Sequence, residues 1–163
     1  MDIENWDLIS DIIMYAAIFI VAIFGFIGLT QLCQKSDQKG LKKIDKPIRA
    51  LALPFFLLVL TYIVFDYIWV IGTAPNDPTK PSFPSTHAML ITTVFLTTAL
   101  ALPKYIKSKP LLVLLDLIML VLLIIACAGR LISNNHWPAD VACGIVFGII
   151  FATFYYLAIK EKK

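Results

Sequence analysis

Five apolar runs, each close to the roughly 20 residues that span a bilayer as a helix, dominate the sequence and limit how the chain can fold. They lie at about residues 8–33, 50–71, 86–103, 111–128 and 138–159. A helix rises about 1.5 Å per residue, so runs of this length cross about 30 Å of hydrocarbon. Charged residues make up 15% of the chain, whereas soluble domains carry about 25%. The runs therefore predict a polytopic membrane protein.

An all-α bundle of about five transmembrane helices, forming a single domain over residues 1–163, is the predicted architecture. Barrel strands would alternate apolar and polar residues, and these continuous runs do not, so β structure is not expected. The third run is the most polar because it contains four threonines. Threonine hydroxyls can bond to the backbone within a membrane helix, so the third span is retained. Those threonines are Thr92, Thr93, Thr97 and Thr98.

The basic residues predict how the chain is oriented in the membrane. Twelve of the fourteen lysines and arginines fall in three groups on one side of a five-span chain. The groups are Lys35, Lys39, Lys42, Lys43, Lys46 and Arg49; Lys104, Lys107 and Lys109; and Lys160, Lys162 and Lys163. Because cytoplasmic loops are enriched in lysine and arginine, we expect an extracytoplasmic N-terminus and a cytoplasmic C-terminus in a cell-membrane protein.

Both histidines of the chain fall on the opposite, outer side, together with the two remaining basic residues. His87 and Lys80 are in one outer loop, and His136 and Arg130 are in the other. One histidine at a helix end would be unremarkable. Two histidines with the two outer cations indicate a site that binds and transforms an anion.

The first outer loop has the features of an anion site at a helix N-terminus. Its prolines keep the chain extended up to Ser85, which is a plausible N-cap for the third span. The unpaired backbone N–H groups and positive dipole end of that helix would face the loop. Lys80 would add a full charge, although an ordinary proline-rich turn with a capping serine also fits this loop.

The second outer loop combines an arginine, a histidine and an aspartate at regular spacing. His136 lies four residues before Asp140, so the two side chains share one face if the helix begins near His136. A carboxylate that accepts one imidazole N–H holds the ring and leaves the other nitrogen free to attack. Arg130 offers a planar fork suited to phosphate oxygens. The alternative is a helix-capping aspartate beside an interfacial histidine.

Arg130-x5-His136-x3-Asp140 resembles the third signature of the type 2 phosphatidic acid phosphatase superfamily, and Pro84-Ser85-Thr86-His87 resembles its second. The resemblance implies a lipid phosphatase with His136 as the nucleophile that forms a phosphohistidine. It also implies that Asp140 orients His136 and that His87 protonates the leaving oxygen and later activates water. It implies no metal and no cofactor, and its phosphate-binding residues would be Arg130, Lys80, Ser85 and Thr86.

The sequence departs from the family's signatures at three positions. Thr73 stands where the first signature has its leading lysine, and Lys80-Pro81 can represent only the end of that signature. Thr86 replaces a glycine, and Gly129 replaces the serine common before the arginine. Lys42-x6-Arg49 has the spacing of the first signature but lies in a loop predicted to be cytoplasmic, so we reject it.

The expected substrate is a lipid phosphate or diphosphate whose tail stays in the bilayer, and no nucleic-acid partner is expected. Undecaprenyl diphosphate is the first choice, because small bacterial relatives commonly process it. Phosphatidylglycerophosphate and phosphatidic acid are close alternatives, and the oligomeric state stays open. A non-catalytic lipid-binding or transport protein on the same scaffold is the alternative of a different class. Asp66 and Asp116, being ionisable residues within spans, are further candidates.

Overall fold

The computed structural model describes residues 2–35 and 38–160, and its helices confirm the all-α prediction. Five helical segments in this part of the chain are long and apolar enough to cross a membrane, which makes the protein a multi-pass membrane protein. The helices are α1 (Ile3–Cys33), α2 (Lys46–Ala50), α3 (Ala52–Ile63), α4 (Thr86–Ala101), α5 (Lys109–Ile132) and α6 (Pro138–Ile159). The second span is composite: α2 and α3 continue into a π-helical turn, Val64–Ile68.

The span ends differ from the predicted ones in two places that affect the site. The first helix begins at Ile3 and not near residue 8, so it contains Asp7 as well as Asp11. The fourth span continues to Ile132, which places Arg130 in the last turn of α5. The predicted spans leave Asp7 and Arg130 outside the apolar runs, but each of these helices extends beyond its apolar part.

A short β-hairpin between the second and third spans was not predicted. Strand β1 (Ile71–Ala74) pairs antiparallel with β2 (Asp77–Phe83), and Thr73 lies opposite Pro81. The ring of Phe65, on the π-helical turn, makes an edge contact with the ring of Phe83 at a centroid distance of 5.6 Å. The hairpin is therefore held against the end of the second span and delivers the segment that precedes α4.

The threonine-rich helix α4 is the most buried of the five spans. Thr93 donates its hydroxyl to the carbonyl of Met89 at 2.7 Å, and Thr97 donates to that of Thr93 at 2.8 Å. Each bond satisfies a hydroxyl inside the helix that carries it, whereas the buried hydroxyls of Thr92 and Thr98 have no hydrogen-bond partner among residues 2–35 and 38–160. The polar character of α4 thus reflects a helix surrounded by protein rather than by lipid.

Two glycines one turn apart allow α6 to pack very closely on α4. A Cβ placed at Gly144 would lie 2.5 Å from the carbonyl oxygen of Ser85, and one at Gly148 would lie 2.6 Å from Cβ of Thr92. Glycine at both positions is therefore required by the close backbone approach, as in small-residue interfaces of membrane helices. This contact brings the N-terminal ends of α4 and α6 together.

The two ends of the bundle have different chemistry. At the basic end, Lys46 donates to the carbonyls of Ile159 and Lys160, and Lys104 lies 2.9 Å from a carboxylate oxygen of Asp45. Lys162 and Lys163, which were grouped with these cations, lie outside the described residues. The opposite end gathers the start of α1, the hairpin, the start of α4, the end of α5 and the start of α6. Both histidines are at this second end.

Candidate active site

His136 lies in the short turn between α5 and α6, with 8% of its surface exposed. Its Nδ1 is 2.8 Å from the carbonyl oxygen of Ser82, on the hairpin. A carbonyl can only accept a hydrogen bond, so Nδ1 carries the proton and donates it. In the neutral ring Nε2 is then unprotonated, and its lone pair is available for attack.

The pKa of His136 is lowered from 6.5 to about 4. Burial is the main cause, and the positive charge of Arg130 is the second. The Ser82 carbonyl and the Asp140 carboxylate oppose the shift without reversing it. The ring is therefore neutral at physiological pH. A neutral imidazole with Nδ1 protonated is the form that a nucleophilic histidine requires.

In protein labelled with 15N-histidine, the NMR signals of His136 are expected to show the Nδ1-protonated tautomer at pH 7 and to titrate with a midpoint near pH 4. The folded-state pKa lies below the ordinary value of 6.5, so the unfolded chain binds the proton more tightly. Keeping His136 neutral therefore costs the folded state nothing above about pH 6.5, and the free energy of unfolding decreases as the pH falls from there towards 4. NMR of the protein in micelles measures the tautomer and the titration midpoint, and a His87→Gln variant shows which signals belong to His136. A midpoint near 6.5 would contradict the buried, neutral ring.

Asp140 does not hold His136 by the hydrogen bond that the spacing predicted. Its Oδ2 lies 3.9 Å from Nδ1 of His136, too far for a hydrogen bond, and accepts instead from the backbone N–H of Trp137 at 2.9 Å. Asp140 is the third residue of α6, where its carboxylate caps the helix. The aspartate therefore contributes charge beside the ring, whereas the Ser82 carbonyl sets the tautomer.

The backbone of Asp140 also joins the two helices that carry the site. Its carbonyl oxygen accepts from the N–H of Ser85 at 3.0 Å. Ser85 is the N-cap of α4, as predicted, and its hydroxyl accepts from the N–H of Ala88. The Ser85 N–H and hydroxyl are thus committed to structure. The backbone N–H groups of Thr86 and His87, at the start of α4, are the ones that can bind an anion.

His87 makes a contact that the sequence did not predict. Its Nε2 lies 2.8 Å from Oδ1 of Asp11, on α1. Its Nδ1 is buried and has no hydrogen-bond partner among residues 2–35 and 38–160. A buried ring nitrogen without a partner is costly, and a bound polar ligand would satisfy it.

Arg130 is also held from α1. Its Nη1 bonds to Oδ1 of Asp7 and lies 3.5 Å from Oδ1 of Asp11. Within the described chain its Nε is buried without a partner, and its carboxylate contacts all use Nη1. The edge of the guanidinium formed by Nε and Nη2 is therefore the part left to bind two oxygens of a ligand.

The close approach of α1 accounts for glycine at position 129. A Cβ on Gly129 would lie 2.8 Å from the carbonyl oxygen of Trp6 and 3.1 Å from Cβ of Ser10. The Ser10 hydroxyl itself lies 3.4 Å from Nη1 of Arg130. The serine expected before the arginine is thus absent because α1 occupies its space, and α1 brings a serine to the arginine.

Lys80 and Thr73 are not brought to the histidines by any hydrogen bond or ion pair in the described part of the chain. Lys80 has a side chain 74% exposed, with Nζ 3.3 Å from Oδ2 of Asp77 in the same strand. The Thr73 carbonyl accepts from the indole N–H of Trp137 at 3.0 Å. The position of the missing lysine therefore anchors the hairpin to the start of α6.

Asp66 and Asp116 lie apart from this cluster. Asp66 is within the π-helical turn, Val64–Ile68. Asp116 is on α5 and lines a small cavity of about 130 Å³ with Phe95 and Met119. Neither aspartate contacts His87, His136 or Arg130 through a hydrogen bond or ion pair that the structure describes.

The fold and site define a class of protein: a multi-pass helical membrane protein in which two histidines and an arginine meet where four helices and a hairpin converge. A sequence model of the PAP2 superfamily matches residues 54–163. The chain belongs to the PAP2 superfamily, whose members are phosphatases that act on phosphate esters. No curated protein and no solved structure matches the chain. Helix α1, with Asp7 and Asp11, lies outside the matched residues.

Proposed function

We propose that the protein is a lipid phosphatase that hydrolyses a phosphate monoester or diphosphate through a phosphohistidine at His136. The observation that carries the proposal is the hydrogen bond from Nδ1 of His136 to the Ser82 carbonyl, at 2.8 Å. It fixes the tautomer in which Nε2 is the nucleophile. Helix ends, an arginine edge and a second histidine surround the ring, as phosphoryl transfer requires.

The first half-reaction forms a bond between Nε2 of His136 and phosphorus while the bond from phosphorus to the leaving oxygen breaks. His87 gives that oxygen a proton from Nδ1, so the product leaves as a neutral alcohol or a protonated phosphate. In the second half-reaction His87 takes a proton from water, whose oxygen attacks phosphorus. The phosphorus–nitrogen bond breaks, and inorganic phosphate leaves.

The phosphoryl oxygens would bind the Nε–Nη2 edge of Arg130 and the N–H groups at the start of α4. We infer no metal in this scheme. In the described residues no three His, Cys, Asp or Glu side chains form a group that could hold a metal ion. The carboxylate of Asp140 would stabilise the positive charge that the His136 ring acquires when it is phosphorylated.

An apolar groove supports a lipid substrate. It has a volume of about 310 Å³ between α1, α3 and α4, and its lining includes Met14, Leu58, Met89 and Thr86. Thr86 directly precedes His87 in α4, so the lining of the groove includes the residue next to the candidate acid–base histidine. A lipid tail in this groove would leave its headgroup at the histidines. Undecaprenyl diphosphate is our first choice, ahead of phosphatidylglycerophosphate and phosphatidic acid.

The purified protein in detergent micelles is expected to release inorganic phosphate from lipid phosphates faster than from a water-soluble alkyl phosphate. A panel of undecaprenyl diphosphate, phosphatidylglycerophosphate and phosphatidic acid would rank the headgroups. Treatment with EDTA should leave the rate unchanged, whereas strong inhibition would overturn the metal-free scheme. Absence of phosphate release from every lipid would favour a non-catalytic lipid-binding protein.

We also propose that the histidine end faces the outside of the cell membrane and that the basic end faces the cytoplasm. Thr79 is exposed on the hairpin, at the histidine end. A Thr79→Cys variant should react with a membrane-impermeant thiol reagent in intact cells. A cysteine at Lys107, in the exposed loop after α4, should react only after the cells are opened. The reverse pattern would show the opposite orientation.

A further inference from the structure

A carboxylate outside the family-matched residues is hydrogen-bonded to one of the two histidines. Asp11 lies on α1, and its Oδ1 is 2.8 Å from Nε2 of His87. A carboxylate accepts hydrogen bonds and does not donate them, so Nε2 of His87 carries a proton. The nitrogen of His87 that exchanges a proton with substrate must then be Nδ1. That atom is buried without a partner among the described residues.

The two histidines have partners of different charge. His136 donates to a neutral carbonyl, that of Ser82, whereas His87 donates to a carboxylate, that of Asp11. A nucleophilic imidazole must remain neutral until it attacks, and a neutral carbonyl partner orients it while favouring the protonated ring less than a hydrogen-bonded carboxylate would. An acid–base imidazole must pass through the imidazolium form in each half-reaction, and a carboxylate partner stabilises that cation.

We propose that Asp11 is the positioning residue for His87, so that the carboxylate–imidazole pair of this enzyme serves the acid–base histidine. The inference rests on the proposed function, because it assigns Asp11 to the histidine that protonates the leaving oxygen. Asp11 holds the ring through Nε2, directs Nδ1 towards the reacting oxygen, and stabilises the imidazolium. It exchanges no proton with substrate and does not touch it.

Several other charged groups surround His87, and the experiment must separate their effects. Nη1 of Arg130, on α5, lies 3.5 Å from the same Oδ1 of Asp11, and it also bonds to Oδ1 of Asp7. His136, in the turn before α6, also interacts electrostatically with His87. Loss of Asp11 could therefore act through Arg130 and phosphate binding, which would impair every phosphate ester equally. An effect through His87 depends on the leaving group.

The Asp11→Asn variant keeps the size of the side chain and removes its charge. With an alkyl phosphate, whose alkoxide needs a proton to leave, we expect kcat to fall about 100-fold. With 4-nitrophenyl phosphate, whose phenolate leaves unprotonated, the first turnover should stay within about threefold of wild type. The later hydrolysis of the phosphoenzyme should be slow, because it needs His87 as a base. Rapid-mixing absorbance would therefore show a burst of nitrophenolate.

Asp11→Glu should recover part of the alkyl phosphate activity, and it keeps the test open if Asp11→Asn does not fold. Glu4→Gln removes a carboxylate from an exposed position of the same helix and should behave as wild type. Equal losses with both substrates, or no loss with either, would overturn the role of Asp11. A wild-type enzyme that forms no phosphoenzyme would instead overturn the proposed function, so the two failures are distinguishable.

Discussion

Replacing His136 by alanine is expected to lower the rate of phosphate release at least about 1,000-fold, the largest loss of any single substitution in this chain. Nε2 of His136 is the protein atom that forms a bond to phosphorus in this scheme. In this scheme His87 does not replace it, because Nε2 of His87 is held by Asp11 and its Nδ1 carries the proton for the leaving oxygen. Phosphate release from a lipid phosphate in micelles measures the loss.

A His136→Asn variant separates the loss of the nucleophile from the loss of a structural contact. Its amide nitrogen lies where Nδ1 of histidine lies and can still donate to the Ser82 carbonyl, but it has no lone pair able to attack. We expect the asparagine variant to be as inactive as the alanine variant and closer to wild type in thermal stability. Substrate labelled in its phosphate should label wild type after an alkaline quench, which preserves a phosphorus–nitrogen bond, and should label neither variant. Full activity in either variant would contradict a phosphohistidine at this residue.

The five spans and the location of the site could be predicted from the sequence because both depend on local features. Run length and hydropathy determine whether a segment can cross a bilayer. The order of spans then places His87 and His136 at the same end, whatever the details of packing. Ser85 as an N-cap needed only the residue type and the start of an apolar helix.

The partners of the histidines could not be predicted so directly, since they depend on how separate helices pack. His136 and Asp140 have the spacing for a contact, but the carboxylate caps the Trp137 N–H instead. Two donors, the backbone N–H of Trp137 and the ring N–H of His136, compete for this one carboxylate, and spacing alone does not decide between them. The Ser82 carbonyl that binds His136 belongs to a hairpin that no apolar pattern marked.

The contribution of α1 left a signal in the sequence that spacing could have revealed. Ser10 and Asp11 follow Asp7 by three and four residues, so the three side chains form one polar stripe on a largely apolar helix. A polar stripe within a membrane span faces protein or an aqueous site rather than lipid. In the structure it faces Arg130 and His87. Placing the start of the first span near residue 8 left Asp7 outside it, although Ser10 and Asp11 were within it.

The spacing Gly144-x3-Gly148 was a second signal of this kind, and it leads to the other large expected effect. Gly144→Ala adds one methyl group, whose carbon would lie 2.5 Å from the Ser85 carbonyl oxygen and 3.1 Å from the Met89 nitrogen. Both are backbone atoms of the start of α4, so they cannot rotate away as a side chain would. The helices must separate, and the hydrogen bond from Ser85 to Asp140 crosses that same contact.

Separating α4 from α6 moves His87 away from His136, although the substitution changes no group that takes part in the chemistry. A displacement of about 1 Å between reacting groups can cost about 100-fold in rate, and we expect a loss of that size in kcat. Gly25→Ala is the matched control, because a Cβ at that position of α1 meets no atom within 4 Å and alanine favours a helix. Phosphate release and thermal unfolding in micelles measure both variants. Wild-type activity in Gly144→Ala would mean that the α4–α6 approach does not set the distance between the two histidines.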